Sequence, residues 1–233
     1  MKTLLALATY NEIDNLPALL TAVREAAPDL DVLVVDDNSP DGTGKWLAEA
    51  AEHQSRLSAI HRSGKLGLGS AAVVGLRHAI EHHYDWVLNM DADFSHPPER
   101  LPDLLALAES GGYDVIVGAR YARGGRITGW PLRRRLISRA VNFYARWMLW
   151  LPVSDCSGSF RGYRVKKLRE MGLDRIRSSG FAFYEEILLR LRQAGARFGE
   201  FPYEFRDREH GRSKTGLRES VRAVASLLTL ALR

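Results

Sequence analysis

Asp91 and Asp93 stand one residue apart where an apolar run ends, within "WVLNMDADFSHPPE" at residues 86–99. A short apolar run of this kind reads as a buried strand, so both carboxylates surface together at its end. Like charges this close repel, and a bound cation relieves that repulsion. Two hard oxygen donors on one short loop suit Mg²⁺ or Mn²⁺, ions that take one or two carboxylates and complete their shell with water and substrate phosphate. An Asp-x-Asp triplet is common by chance. Its place after a strand and before a Pro-Pro turn is what singles it out.

A second acidic pair, Asp36 and Asp37, opens "DDNSPDGT" after the run "VLVV". A carboxylate there can accept hydrogen bonds from a ribose or a nucleobase, as the acidic residue of dinucleotide folds does; Asp37 is the one assigned to a ligand. Asn38, Ser39 and Asp41 are assigned to turn-building and helix capping. "GKLGLGSAA" contains Gly67-x-Gly69-x-x-Ala72, but a dinucleotide fingerprint belongs at the first strand-to-helix turn, which here is "ATYNE" without glycine. Lys65 before flexible glycines reads instead as a loop approaching a diphosphate. Arg161, Arg206, Arg208 and Lys214 lie in polar, glycine-containing stretches, "SDCSGSFRGYR" and "FRDREHGRSK". Arginine forks match phosphate oxygens and lysine supplies a point charge. No Ser/His/Asp order, CxxC pair or HExxH string occurs, so neither side-chain nucleophilic catalysis nor structural zinc is indicated.

These groups need elements to position them. Strands are expected at Thr3–Ala8, Val32–Val35, Leu57–Ile60, Trp86–Met90 and Val115–Gly118, with helices near Asn15–Ala26, Gly44–His53, Gly69–His82 and Pro98–Ser110. This alternation predicts an α/β fold with a mainly parallel sheet and helices on both faces. Ligands then bind at the carboxyl ends of the strands, where the polar clusters fall. At 233 residues with 45% hydrophobic and 26% charged residues, the chain can bury a real core, and a single domain over 1–233 is expected. The one cysteine, Cys156, cannot form an internal disulfide, which points to a reducing cytosol and a buried, inert thiol. No secretory leader is expected from "MKTLLALATYNE", and no segment reaches the roughly 18 apolar residues of a spanning helix.

The net charge of +5 is unevenly spread. No acidic residue lies between Asp114 and Asp155, whereas Arg120, Arg123, Arg126, Arg133, Arg134, Arg135, Arg139 and Arg146 do. A one-signed stretch suits an anionic partner: phosphate, nucleic acid or a membrane surface. Within residues 125–155, Leu136, Ile137, Ala140, Val141, Phe143, Tyr144, Trp147, Met148 and Leu151 recur at helical spacing. Core packing is the default reading of that stripe; a helix lying in a membrane interface is the alternative. Residues 215–233 read as a last amphipathic helix.

In this order the motifs resemble the family-2 glycosyltransferases, and among them the dolichol- or polyprenol-phosphate mannose synthases. The matching stretches are "ATYNEIDNLP", "VVDDNSPDGT", "GKLGLGSA", "MDADFSHPPE", "GARYARGG", "WPLRRRLIS", "SDCSGSFRGYR", "GFAFYEEI" and "HGRSK", spanning residues 8–214. The resemblance implies a GT-A fold, GDP-mannose as donor, a dolichyl or polyprenyl phosphate as acceptor, and work on the cytosolic face of a membrane. It also implies roles by position. Ala8, Tyr10, Glu12, Val35 and Asp37 would hold guanosine, with Ala8 replacing the usual Pro. Lys65, Ala92, Arg208 and Lys214 would join the nucleotide-sugar site. Asp91 and Asp93 would engage metal and diphosphate, and Ser95 stands where some relatives place Gln as a further metal ligand. Arg120, Arg134, Ser138, Arg208 and Lys214 would face diphosphate or acceptor phosphate, and Glu186 is a carry-over from the "YEE" stretch.

A lipid phosphate is already an anion, so it needs no dedicated general base, and the demand falls on the leaving diphosphate. A single displacement with inversion is expected. Several members of the family it resembles carry transmembrane helices after the catalytic domain; here anchoring is expected from interfacial helices or a separate membrane subunit. The alternatives are glucose or N-acetylglucosamine transfer, or use of UDP donors. A catalytically silent lipid-binding module is opposed by the intact Asp-x-Asp and Lys214, and a nucleic-acid-binding domain by the acidic strand ends.

Overall fold

The computed structural model of the chain describes residues 1–178, 180 and 182–207. The expected alternation is present: β1 (Thr3–Thr9), α1 (Leu16–Ala26), β2 (Asp31–Asp36), α2 (Thr43–His53), β3 (Leu57–His61), α3 (Leu68–Glu81), β4 (Trp86–Asp91), α4 (Leu101–Glu109) and β5 (Val115–Ala119). Thereafter come β6 (Arg126–Thr128), α5 (Leu132–Met148), β7 (Arg161–Arg164), α6 (Val165–Met171), α7 (Ala182–Gln193), β8 (Phe198–Pro202) and β9 (Glu204–Arg206).

Seven strands form one sheet in the order β3-β2-β1-β4-β7-β5-β8, parallel except for β7, which runs antiparallel to both neighbours. Period-two alternation along β1 sends Leu4 and Ala6 into the core beneath α3, α6 and α7, and Leu5 and Leu7 into the core shared with α1 and α4. Both faces are therefore covered, and the strands read as continuous apolar runs. The α3 helix crosses β1 so closely that a Cβ on Gly75 would come within 2.6 Å of the Ala6 Cβ.

The chain leaves β1 toward β2 on one side and returns as β4 on the other. That reversal opens a crevice beyond the carboxyl ends of β1, β2 and β4. Register sharpens the point: Ala8 pairs with Val35 on one side and with Asp91 on the other, so three of the sequence-derived site residues stand in one row.

Beyond residue 125 the structure adds what periodicity did not show. Strands β6 and β9 pair in parallel as a separate ribbon of three residues each, too short for alternation to register. The α5 stripe corrects the default expectation of core packing. Asn142, Ala145 and Leu149 are buried and Tyr144 and Met148 pack against the core, but Leu132, Leu136, Phe143, Trp147 and Trp150 are exposed. Among the described residues no helix is long and apolar enough to cross a membrane. The expected helix at 215–233 lies outside the described residues.

Candidate active site

The loops after β1 and β2 meet at the crevice and are sewn together by short polar side chains. Ser39 Oγ accepts the Asn11 amide, Thr43 Oγ1 the Glu12 amide and Asp41 the Ile13 amide, which fixes "TYNE" after β1 against "DDNSPDGT" after β2. Asp36, 1% exposed, accepts both the amide and the hydroxyl of Ser39. Ser39 and Asp41 therefore build the turn as expected, and Asn38 contributes a left-handed backbone (φ 58°).

Asp37 is also buried. One of its carboxylate oxygens meets the Arg62 guanidinium, and the other accepts the amides of Leu66 and Gly67 at 3.0 and 2.9 Å. Gly67 has φ +96°, a conformation open to glycine at little cost, and this aims its N–H at Asp37 as α3 begins. Asp37 thus clamps the loop that carries Lys65, whose ammonium lies 4.3 Å from the Tyr10 ring centroid.

At the end of β4, Asp91 Oδ1 accepts the Ser159 hydroxyl at 2.7 Å, and the Asp91 amide donates to His96 Nδ1 at 3.0 Å. Asp93, 5% exposed, accepts the Ser95 amide through Oδ1. Between them Phe94 adopts φ +59°, unusual for a bulky residue, and such strain persists where the surroundings over-determine it. Ala92 is buried beneath the loop, and Ser95 accepts the Arg206 amide through its carbonyl. No group of three or more His, Cys, Asp or Glu able to hold a metal occurs among the described residues. Two hard carboxylates on one turn fit a divalent ion whose other ligands are diphosphate oxygens and water.

The cations sort into two kinds. Arg120, 7% exposed, is committed to Asp155: its amide and Nε donate to Oδ2 and its Nη2 to Oδ1 at 2.7 Å, with Ser157 Oγ beside it. Burial pushes the Asp155 carboxyl up, but the Arg120 guanidinium outweighs it and holds the group below the usual carboxylate range. Arg134, at the start of α5, sits 3.9 Å above the Trp130 ring and 3.4 Å from Asp207. Ser138, one turn further, accepts the Tyr121 hydroxyl. Arg120 is therefore held in the interior, while Arg134 and Ser138 are half-buried on α5. Arg208 and Lys214 lie outside the described residues.

Glu186 serves a different purpose. Burial raises it, but the amides of Ser178 and Arg177 and the Arg190 side chain hold its carboxyl below the ordinary value, and it fixes the turn before α7. Its neighbour Glu185 is fully buried with Oε2 unpartnered among the described residues, and burial, against the pull of Arg161, pushes it up to about 8.

Reasoning from sequence passed over Asp155, Ser159 and Asn142. Asn142 Oδ1 accepts the amides of Cys156 and Ser157 and ties α5 to the loop that holds both Arg120 and Asp91. A buried Asn within an apolar helical stripe and an Asp before "CSGSF" were the available signals.

The model of "Glycosyl transferase family 2" matches residues 5–172. An undecaprenyl-phosphate mannosyltransferase from Micrococcus luteus is 42% identical over 214 residues, covering 92% of this chain and 87% of that protein. A polyprenol monophosphomannose synthase from Mycolicibacterium smegmatis is 37% identical over 228 residues, covering 96% and 86%. Among solved structures, glucosyl-3-phosphoglycerate synthase from Mycobacterium tuberculosis with Mn²⁺ and UDP shares the fold at TM-score 0.68 and 17% identity, covering 99% of this chain and 80% of that one. A mannosyltransferase from Pyrobaculum calidifontis with GDP-Man and Mn²⁺ does so at TM-score 0.66 and 18% identity, covering 100% and 64%. The chain belongs to glycosyl transferase family 2 and is a glycosyltransferase.

Proposed function

We propose that the enzyme moves mannose from GDP-mannose to a polyprenyl phosphate, inverting the anomeric centre to give the β-linked lipid-phosphate sugar. The observation that carries this reading is the identity, over nine-tenths of the chain, with two proteins named for mannose transfer to polyprenyl phosphates. The crevice agrees with it: strand-end carboxylates for a metal and diphosphate, a clamped nucleotide loop, and arginines toward α5.

The Ala8–Val35 row, with Tyr10, Glu12 and the Asp37-clamped loop, borders the nucleoside. Asp91 and Asp93 would hold Mg²⁺ or Mn²⁺, which supplies Lewis-acid neutralisation of the departing diphosphate. Lys65 and the buried Ala92 belong to the donor side. Arg134 and Ser138 orient the acceptor phosphate, whose anionic oxygen attacks the anomeric carbon while the bond to the diphosphate oxygen breaks and its electron pair leaves with GDP. No proton is removed from the nucleophile. Accordingly Glu186 is tied up structurally rather than poised as a base.

The lipid tail calls for a surface. At about 100° per residue, Leu132, Leu136, Phe143 and Trp147 fall within about 60° of one another on α5, across the helix from the buried Ala145, with Arg135, Arg139 and Arg146 along one edge and the exposed Trp150 just past its end. Exposed aromatics beside arginines suit the interface of an anionic leaflet. The enzyme accordingly works as one catalytic domain lying on a membrane, on the cytosolic face where nucleotide sugars are made.

The test is a transfer assay with a short polyprenyl phosphate, offering GDP-mannose, GDP-glucose, UDP-glucose and UDP-N-acetylglucosamine separately, with and without chelator. Product from GDP-mannose alone, β-linked and lost on chelation, is expected. Product only from another donor overturns the substrate, and an α-anomer overturns the single displacement.

A further inference from the structure

The carboxylates of Asp91 and Asp93 stand on a loop that needs its own support. The β4–β7 ladder ends at the pair Asn89–Arg161. Two residues further on, the Asp91 amide meets the Nδ1 of His96, at 3.0 Å. His96 is 1% exposed, its ring stacked on Phe160 at 5.2 Å and 14° and met edge-on by Tyr203 at 5.6 Å. The loop so closed contains a second short-range bond, Ser95 N–H to Asp93, and the left-handed Phe94. A side chain that accepts an amide must present a lone pair, so the ring proton sits on Nε2.

The geometry points to His96 as a positioning residue of the metal–diphosphate site: its Nδ1 anchors the Asp91 amide, and the aromatic wall of Phe160 and Tyr203 holds the imidazole in the plane that requires. The inference rests on the proposal that Asp91 and Asp93 bind a divalent ion with the donor diphosphate. Second-layer partners of this sort commonly govern metal affinity by ten- to a hundredfold. The competing account is that His96 is only a ring filling space between Phe160 and Tyr203.

Two substitutions separate these accounts. His96→Phe keeps a ring against Phe160 but has no acceptor, whereas His96→Asn loses the ring but places a carbonyl oxygen where Nδ1 was. Binding of Mn²⁺ in the presence of GDP, followed by electron paramagnetic resonance without acceptor lipid, is the readout. Positioning predicts that H96F weakens Mn²⁺ binding by about tenfold or more while H96N stays within about threefold of wild type. Wild-type affinity in H96F, or a loss in H96N equal to that in H96F, overturns the role. Should either variant fail to fold, ¹⁵N spectra of histidine-labelled wild type decide the matter: a proton on Nε2 and an acceptor Nδ1 supports the bond, and a protonated Nδ1 overturns it. Absence of Mn²⁺–GDP binding in wild type itself overturns the reading of Asp91 and Asp93, and this inference with it.

Discussion

At the scale of single residues, the arginines that sequence placed together do different work. Arg120 is bound bidentately to Asp155 in the interior, and Arg134 is half-buried beside Trp130 and Asp207. Arg120→Ala leaves the buried Asp155 carboxylate uncompensated and is expected to cost about 3–5 kcal/mol of stability, read by denaturant unfolding. Arg134→Ala is expected to leave unfolding nearly unchanged and to raise the KM for polyprenyl phosphate by about tenfold or more, the worth of a charge-assisted hydrogen bond, with the donor KM steady. An R134A enzyme with unchanged acceptor dependence would remove that role. Asp93→Asn conserves volume but weakens the metal donor set, so turnover is expected to fall by about 100-fold or more at an unchanged melting temperature. Retention of most of the activity would detach Asp93 from the metal.

At the scale of elements, α5 has to satisfy two environments at once. Asn142 and Ala145 face the protein, whereas Phe143 and Trp147 on its exposed side and Trp150 just past its end are 73%, 67% and 77% exposed. A helix bearing aromatics on its solvent face would be an aggregation liability if nothing covered it. Replacing Phe143, Trp147 and Trp150 together by Ser is expected to reduce sedimentation with phosphatidylglycerol vesicles by about tenfold or more, without loss of transfer to a detergent-dispersed short-chain acceptor. Equal sedimentation of variant and parent would mean that α5 is not the docking surface. Replacing Arg135, Arg139 and Arg146 by Gln should instead remove the preference for anionic over neutral vesicles, each arginine contributing about 1 kcal/mol.

At the scale of the whole molecule, one buried group sets a pH trend. Glu185 is raised from an ordinary 4.5 to about 8 by burial, opposed by Arg161. Between those values the native state holds a proton that the unfolded chain has lost, so this group makes stability fall as pH rises through the window, and the fall levels off above it. Glu185→Gln removes the ionisation. Its melting temperature is expected to match wild type near pH 5 and to exceed it by several degrees at pH 9, as calorimetry across pH 5–9 would show. Parallel curves for the two proteins would mean that Glu185 ionises normally when folded.

The amino-acid sequence by itself determined the first half of the fold and the identity of the strand-end acids. Long apolar runs bounded by turn residues have a local cause, because alternation and capping are written within a few residues; five strands and four helices were legible for that reason. That Asp37, Asp91 and Asp93 stand at strand ends was legible because each closes an apolar run, but the use of Asp37 to hold Arg62 and the Leu66 and Gly67 amides, rather than a ligand, was not. The tertiary structure alone decided which charges pair with which. That Arg120 pairs with a carboxylate 35 positions away, that Asp37 clamps the Lys65 loop, and that Asp91 leans on Ser159 and His96 are long-range facts. So is the exposure of the α5 stripe. Its periodicity shows an apolar face of a given width, but burial depends on what chain closes over that face, and here the core needs only the side around Asn142 and Ala145.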